Sequence, residues 1–128
     1  MDYRDAFLNL LAILAYVDMD FAPQERQRIA DKLTELYGDE AAEALRRLQN
    51  RFDEITDFEA INRITRESVE TIKLQRPQNE WKNVIRELIL LAFADKKVNV
   101  SESAYLVNIC RQFGLNLDEV ISEFKNSG

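Results

Sequence analysis

The chain has 128 residues, 46% hydrophobic and 31% charged, a balance too apolar for disorder and a length that supports one self-sufficient core. Its net charge of −6, from 23 acidic and 17 basic residues, disfavours both nucleic-acid phosphates and anionic membrane surfaces as partners. Histidine is absent and Cys110 is the only cysteine, which removes the commonest general base and metal ligand together with any intrachain disulfide.

Punctuation is sparse. The glycines are Gly38, Gly114 and Gly128 and the prolines are Pro23 and Pro77, so helix is favoured over sheet. A first helix is predicted from Asp2 to Asp18, apolar nearly all round through Phe7, Leu8, Leu10, Leu11, Ile13, Leu14 and Val17. Such a helix belongs at the centre of a bundle. After a turn at 19–22, Pro23 opens the second helix at the position where its missing N–H costs nothing. Ile29, Ala30, Leu33 and Leu36 give that helix its core spacing and Gly38 its C-cap.

A third helix is predicted over about 40–54, with Ala41, Ala44, Leu45, Leu48 and Phe52 facing inward. A fourth follows over about 58–73, capped by Thr56 or Asp57. Its inward set is Phe58, Ile61, Ile64, Val69 and Ile72, and its polarity points to an outer position. Arg46, Arg47, Arg51, Arg63 and Arg66, interleaved with Glu43, Glu54, Glu59, Glu67 and Glu70, read as a solvated face laced with ion pairs. Pro77 breaks the chain.

A fifth helix is predicted over about 80–95 behind an Asn79 cap, with Trp81 as an anchor and an apolar run from Leu88 to Ala94. That run is too short to span a membrane. A sixth helix over about 100–112 is closed by Gly114, and its Cys110 shares the apolar face of Leu106, Ile109 and Phe113. A short seventh helix follows Asn116, with Val120, Ile121 and Phe124 facing in. The opening Met1-Asp2-Tyr3-Arg4-Asp5 lacks the basic start of a secretory signal, so a cytoplasmic location is expected.

The pattern repeats at an offset of 77 residues. Ala15-Tyr16-Val17-Asp18 aligns with Ala92-Phe93-Ala94-Asp95, Phe21 with Val98, Glu25 with Glu102 and Ile29 with Leu106. The expected fold is therefore all-α, with about seven helices in a single domain over 1–128. Two pseudo-symmetric helical hairpins pack together with bridging helices.

Each repeat ends a buried helix with Asp and places Glu seven residues later. In the first copy Asp18, Asp20 and Glu25 offer three oxygen donors around one turn, a set suited to a hard divalent cation such as Ca or Mg. Asp18 and Asp95 also stand at helix C-termini, where the dipole disfavours a carboxylate. A structural role accounts for the same residues. Asp side chains fix turns, and Asn99 with Glu102 forms a capping-box spacing. In the second copy, Lys96 and Lys97 flank the turn and oppose a cation, so Asp95, Asn99 and Glu102 read mainly as structural. The spacing is not that of an EF-hand loop. No nucleophile, phosphate loop or cofactor signature accompanies the carboxylates.

This hairpin pattern resembles the tellurite-resistance TerB-like family. The family signature is a small residue, Asp-Gly, a branched apolar residue three after the Asp and a Glu seven after it. Asp18, Phe21, Pro23 and Glu25 match one unit, and Asp95, Val98 and Glu102 match the other. The family's Gly is Met19 in one copy and Lys96 in the other. The resemblance implies an all-helical, cytoplasmic, bacterial domain linked to stress and tellurite resistance, with metal binding through its acidic residues. The function expected is a non-enzymatic interaction module that meets a protein partner, with divalent-cation binding as the alternative. A hydrolase using the same carboxylates is a distant third.

Overall fold

The computed structural model describes residues 2–17, 23–92 and 100–127, and side chains within 2–15, 27–92 and 100–123. Seven α-helices occur among them: α1 Tyr3–Val17, α2 Pro23–Tyr37, α3 Ala41–Asp53, α4 Phe58–Gln75, α5 Trp81–Ala92, α6 Val100–Phe113 and α7 Leu117–Ser127. Single 3₁₀ turns at Gly38–Glu40 and Gln78–Glu80 precede α3 and α5.

Local chemistry sets most of these ends. Pro23 is the first residue of α2. Gly38 closes α2 at φ 55° and Gly114 closes α6 at φ 75°, conformations that cost a residue with a Cβ. Past Gly114 the Leu115 N–H donates to the Cys110 carbonyl at 2.8 Å, the reach-back bond of a Schellman ending. The Asp57 carboxylate accepts from the Ala60 N–H at 2.9 Å and caps α4. Asn116 does the same for α7, accepting from the Glu119 N–H at 3.2 Å.

The core forms around α1. Leu8, Leu10, Leu11, Ile13 and Leu14 are all shut off from solvent, as the all-round apolar pattern requires. Ile85, Leu88 and Leu91 of α5 and Ile109 of α6 join them. Cys110 is buried in the same cluster. The Trp81 ring meets Phe113 at 5.7 Å between centroids, and its N–H donates to the Arg76 carbonyl at 3.2 Å.

Cross-helix bonds fix the directions. Tyr3 N–H donates to Gln75 Oε1 at 2.8 Å and Asn9 Nδ2 to Ser68 Oγ at 3.1 Å, so α1 and α4 run antiparallel. Arg4 donates to the Leu36 carbonyl at 3.3 Å, and Tyr37 bonds Asp5, so α2 is also antiparallel to α1. Arg47 meets Asp5 at 3.3 Å and Arg51 meets Asn9 at 2.7 Å, which sets α3 parallel to α1. Thr65 bonds Tyr105 at 2.7 Å, and Lys73 donates to the Gln112 carbonyl at 3.1 Å, so α4 and α6 are parallel. The Trp81–Phe113 contact makes α5 and α6 antiparallel.

These registers divide the bundle into two poles. Tyr3, Tyr37, Gln75, Trp81 and Phe113 mark one. Val17, Pro23, Asp53, Phe58, Ala92 and Val100 mark the other. α1, α3 and α5 therefore end, and α2, α4 and α6 begin, at the second pole.

Four expectations are corrected. First, α4 is not an outer helix. It is the most extensive partner of α1 and buries Ala60, Ile61, Ile64, Thr65, Ser68, Val69 and Ile72. Its polarity misled because Thr65 and Ser68 enter the core with hydrogen-bond partners, which removes the cost of burying them. Second, Phe58 is 79% exposed, because α4 begins beyond the ends of the helices packed on it. Third, Asn79 lies inside the 3₁₀ turn Gln78–Glu80 and does not cap α5, which begins at Trp81. Fourth, Arg47 and Arg51 are more than a solvated strip, since both pair with Asp5 of α1, Arg51 largely buried and Arg47 still partly open to solvent.

Candidate functional site

Of the residues singled out by the repeat, Glu25 and Glu102 belong to helices that begin at the second pole. Asp18, Asp20, Asp95 and Asn99 lie outside the described residues. Glu25 is the third residue of α2, and its side chain is likewise outside the described set. Glu102 stands in the first turn of α6 and is 1% exposed. A carboxylate taken so far from water needs compensation from hydrogen bonds, a counter-charge or a proton. The start of a helix supplies part of it through unpaired N–H groups and the positive end of the dipole.

The described residues of this pole add an acidic rim. Asp53 and Glu54 end α3, and Asp57 and Glu59 flank Phe58 at the start of α4, all four exposed. Among the described residues, no three Cys, Asp or Glu side chains gather closely enough to hold a metal ion. The donors that motif chemistry provides here are oxygens, the type preferred by hard cations over soft ones.

A second constellation was not foreseen. On the outer flank of α1, Asp5 accepts from the Tyr37 hydroxyl of α2 and from the Arg47 guanidinium of α3. Arg51 Nη1 lies 3.7 Å from the same carboxylate, while Arg51 Nε donates to Asn9 Oδ1 at 2.7 Å. Asn9 in turn donates to Ser68 of α4. Four helices are thus tied by one buried polar chain. Burial, and then the bond to Asp5, push the Tyr37 hydroxyl up to about 12. Burial holds the Arg51 guanidinium below its ordinary value. Arg4 and Arg47 also stack on the Tyr37 ring, at 4.4 and 5.3 Å from its centroid.

A sequence signal for this network existed. Asp5 and Asn9 are four residues apart on an otherwise apolar helix, and Arg47 and Arg51 share that spacing on α3. Two matching i,i+4 pairs on helices that run side by side form a ladder. The network lies among packed helices and serves to hold them in register.

At the first pole a cleft of about 330 Å³ opens between α1, α2, α4 and α5, with Tyr3, Phe7, Ile72 and Val84 in its walls. Its charges are committed to one another. Lys32 bridges Glu35 at 2.9 Å and Glu87 at 3.4 Å. Arg76 pairs with Glu80 and lies 4.7 Å from the centre of the Tyr3 ring.

No helix among the described residues is long and apolar enough to cross a membrane. Seven helices packed around α1, with α4 as its most extensive partner, define an all-α helical domain. The family model of tellurite resistance protein TerB matches residues 4–123, and the chain belongs to that family. No curated protein and no solved structure matches the chain.

Proposed function

We propose that this TerB domain is a non-enzymatic interaction module of a bacterial, cytoplasmic stress-response assembly, and that it engages a basic protein partner through the pole at which α2, α4 and α6 begin. The concentration of charge there carries the reading. Segments 18–26, 53–59 and 93–102, which include or join the helix ends of this pole, hold nine carboxylates and three basic residues. That difference equals the whole net charge of −6, and the rest of the chain is balanced at fourteen of each sign. A field focused in this way selects partners by sign and speeds their encounter. The test is capture of the partner from the source cells by wild type and by the charge-reversed variant D18K/D20K/E25K. Loss of capture with helicity and melting retained supports the reading. Unfolding of the variant assigns the three residues a structural role, and unchanged capture removes them from the surface.

A divalent cation, Ca or Mg, held by Asp18, Asp20 and Glu25 is the second reading. It is favoured by the three oxygen donors that the sequence places around one turn, the ligand type hard cations prefer. Asp95, Asn99 and Glu102 retain their mainly structural role in it. Calorimetric titration with Ca²⁺, Mg²⁺ and Mn²⁺ decides it. No heat, with no rise in melting temperature at about millimolar metal, eliminates this reading, because a ligand bound only by the folded state must stabilise it.

A further inference from the structure

We infer that the cleft between α1, α2, α4 and α5 binds a small organic monocation, whose apolar body lies over Tyr3, Phe7 and Ile72 and whose ammonium is held by Glu35 and Glu87. The site lies apart from the surface proposed above and stands independently of that reading.

Helical register builds the cleft. Tyr3 and Phe7 stand four residues apart on α1, and Lys32 and Leu36 do so on α2. Ile72 of α4 and the Arg76 that follows its end keep the same spacing. Glu80, just before α5, lines up with Val84 and Glu87 on it. Residues three or four apart share one helix face, so four faces converge on one opening. Its volume of about 330 Å³ falls within the ~300–1,000 Å³ of small-ligand pockets. Ile72 and Val84 are buried, while Tyr3, Phe7 and Leu36 are half-buried. The floor is therefore apolar and partly open.

The charges around that floor decide the ligand. The cleft holds three carboxylates, Glu35, Glu80 and Glu87, against two cations, Lys32 and Arg76. Both cations are engaged. Lys32, with a side chain only 15% exposed, meets Oε2 of Glu35 and of Glu87 and lies 5.8 Å from the centre of the Phe7 ring. Arg76 donates to Oε2 of Glu80 and lies over the Tyr3 ring. The carboxylates are not exhausted. Among the described residues, Oε1 of Glu35, Glu80 and Glu87 accepts no hydrogen bond. Three negative charges against two positive ones leave one in excess, and a single monocation balances it. Glu35 and Glu87 already converge on one ammonium, and their free oxygens can take another through charge-assisted bonds. The two ring contacts show that Tyr3 and Phe7 turn their faces to positive charge. An anion of the same shape would have to displace a carboxylate, and a neutral molecule would leave the excess charge unanswered.

The experiment titrates the full chain with three probes that share a phenylalkyl body: phenethylamine, phenethyl alcohol and hydrocinnamate. Amide and methyl NMR signals should move at Phe7, Ile72 and Val84. The amine should bind about tenfold more tightly than the alcohol, with the carboxylate weakest. Glu87→Gln removes the excess charge and leaves Lys32 paired with Glu35. It should abolish the advantage of the amine and preserve the affinity of the alcohol. Lys32→Met keeps an unbranched stem over Phe7 and removes a resident cation, so it should tighten the amine further. The two variants move the amine in opposite directions, which a general loss of structure does not do. Equal affinity for the three probes would reduce the cleft to an apolar hollow without charge selection and overturn the inference. Tightest binding of hydrocinnamate, signals moving only outside the cleft, or no binding of any probe would overturn it as well.

Discussion

The Tyr37 hydroxyl of α2 donates to the Asp5 carboxylate of α1, and this bond fastens the C-terminal end of one helix to the N-terminal end of its neighbour. Asp5 is also the point at which Arg47 and Arg51 of α3 converge. One carboxylate therefore fixes three helices. Tyr37→Phe keeps the ring under Arg4 and Arg47 and removes only the hydroxyl, so a loss of about 1–2 kcal/mol is expected. Asp5→Ala should cost more, roughly 2–4 kcal/mol, because the Arg51 guanidinium is left largely buried without its counter-charge. Urea midpoints of the two variants check the order.

Burial of the Tyr37 hydroxyl, together with this bond, makes alkaline stability depend on pH. Tyr37 has a folded value of about 12 against 10 in the unfolded chain, so the folded state holds its proton longer. The stabilisation is complete below pH 10 and is lost as pH rises toward 12. Tyr105, buried and bonded to Thr65, is shifted in the same direction by burial. Urea midpoints taken across that window should fall for wild type and fall less steeply for Tyr37→Phe.

Asn9 and Arg51 should behave as a coupled pair. Arg51 Nε donates to Asn9 Oδ1 at 2.7 Å, and both residues belong to the chain of bonds that reaches Ser68. A double-mutant cycle of Asn9→Ala and Arg51→Ala should show an interaction of about 0.5–3 kcal/mol. Strict additivity would remove the network from the stabilising set.

Cys110 should be inert in the native protein. Its thiol is buried against the core, and burial pushes it up to about 11. Both access and thiolate are therefore suppressed at neutral pH. A thiol reagent should label it only as the protein unfolds, giving one equivalent in denaturant and none beforehand.

Two terminal signals can be weighed directly. Asp57→Ala removes the side chain that caps α4 and should cost about 1 kcal/mol. Gly114→Ala meets no steric neighbour, yet it places an L side chain at φ 75° and should cost about 1 kcal/mol through the backbone alone. Thermal unfolding of the single variants measures both.

Sequence alone determined the elements and most of the apolar core. The 3.6-residue pattern of α1, the Pro23 start, the glycines after α2 and α6 and the Asn116 cap are local features, so each could be read from neighbouring residues. Burial of Cys110 and Leu88 followed from the same periodicity. The tertiary structure alone decided how far each helix extends past its partners. Phe58 has the spacing of a core residue and became a surface residue because α1 and α6 stop short of it. Thr65, Ser68 and Arg51 look like surface residues, yet they point inward because partners on other helices bind them. Periodicity records which side of a helix is apolar. It carries no information on the relative heights of helices or on hydrogen bonds between residues distant in the chain. The repeated Asp-to-Glu hairpins show both sides of this. Their spacing was legible in the chain, but only the directions of α1, α2, α5 and α6 brought the starts of α2 and α6 to one pole.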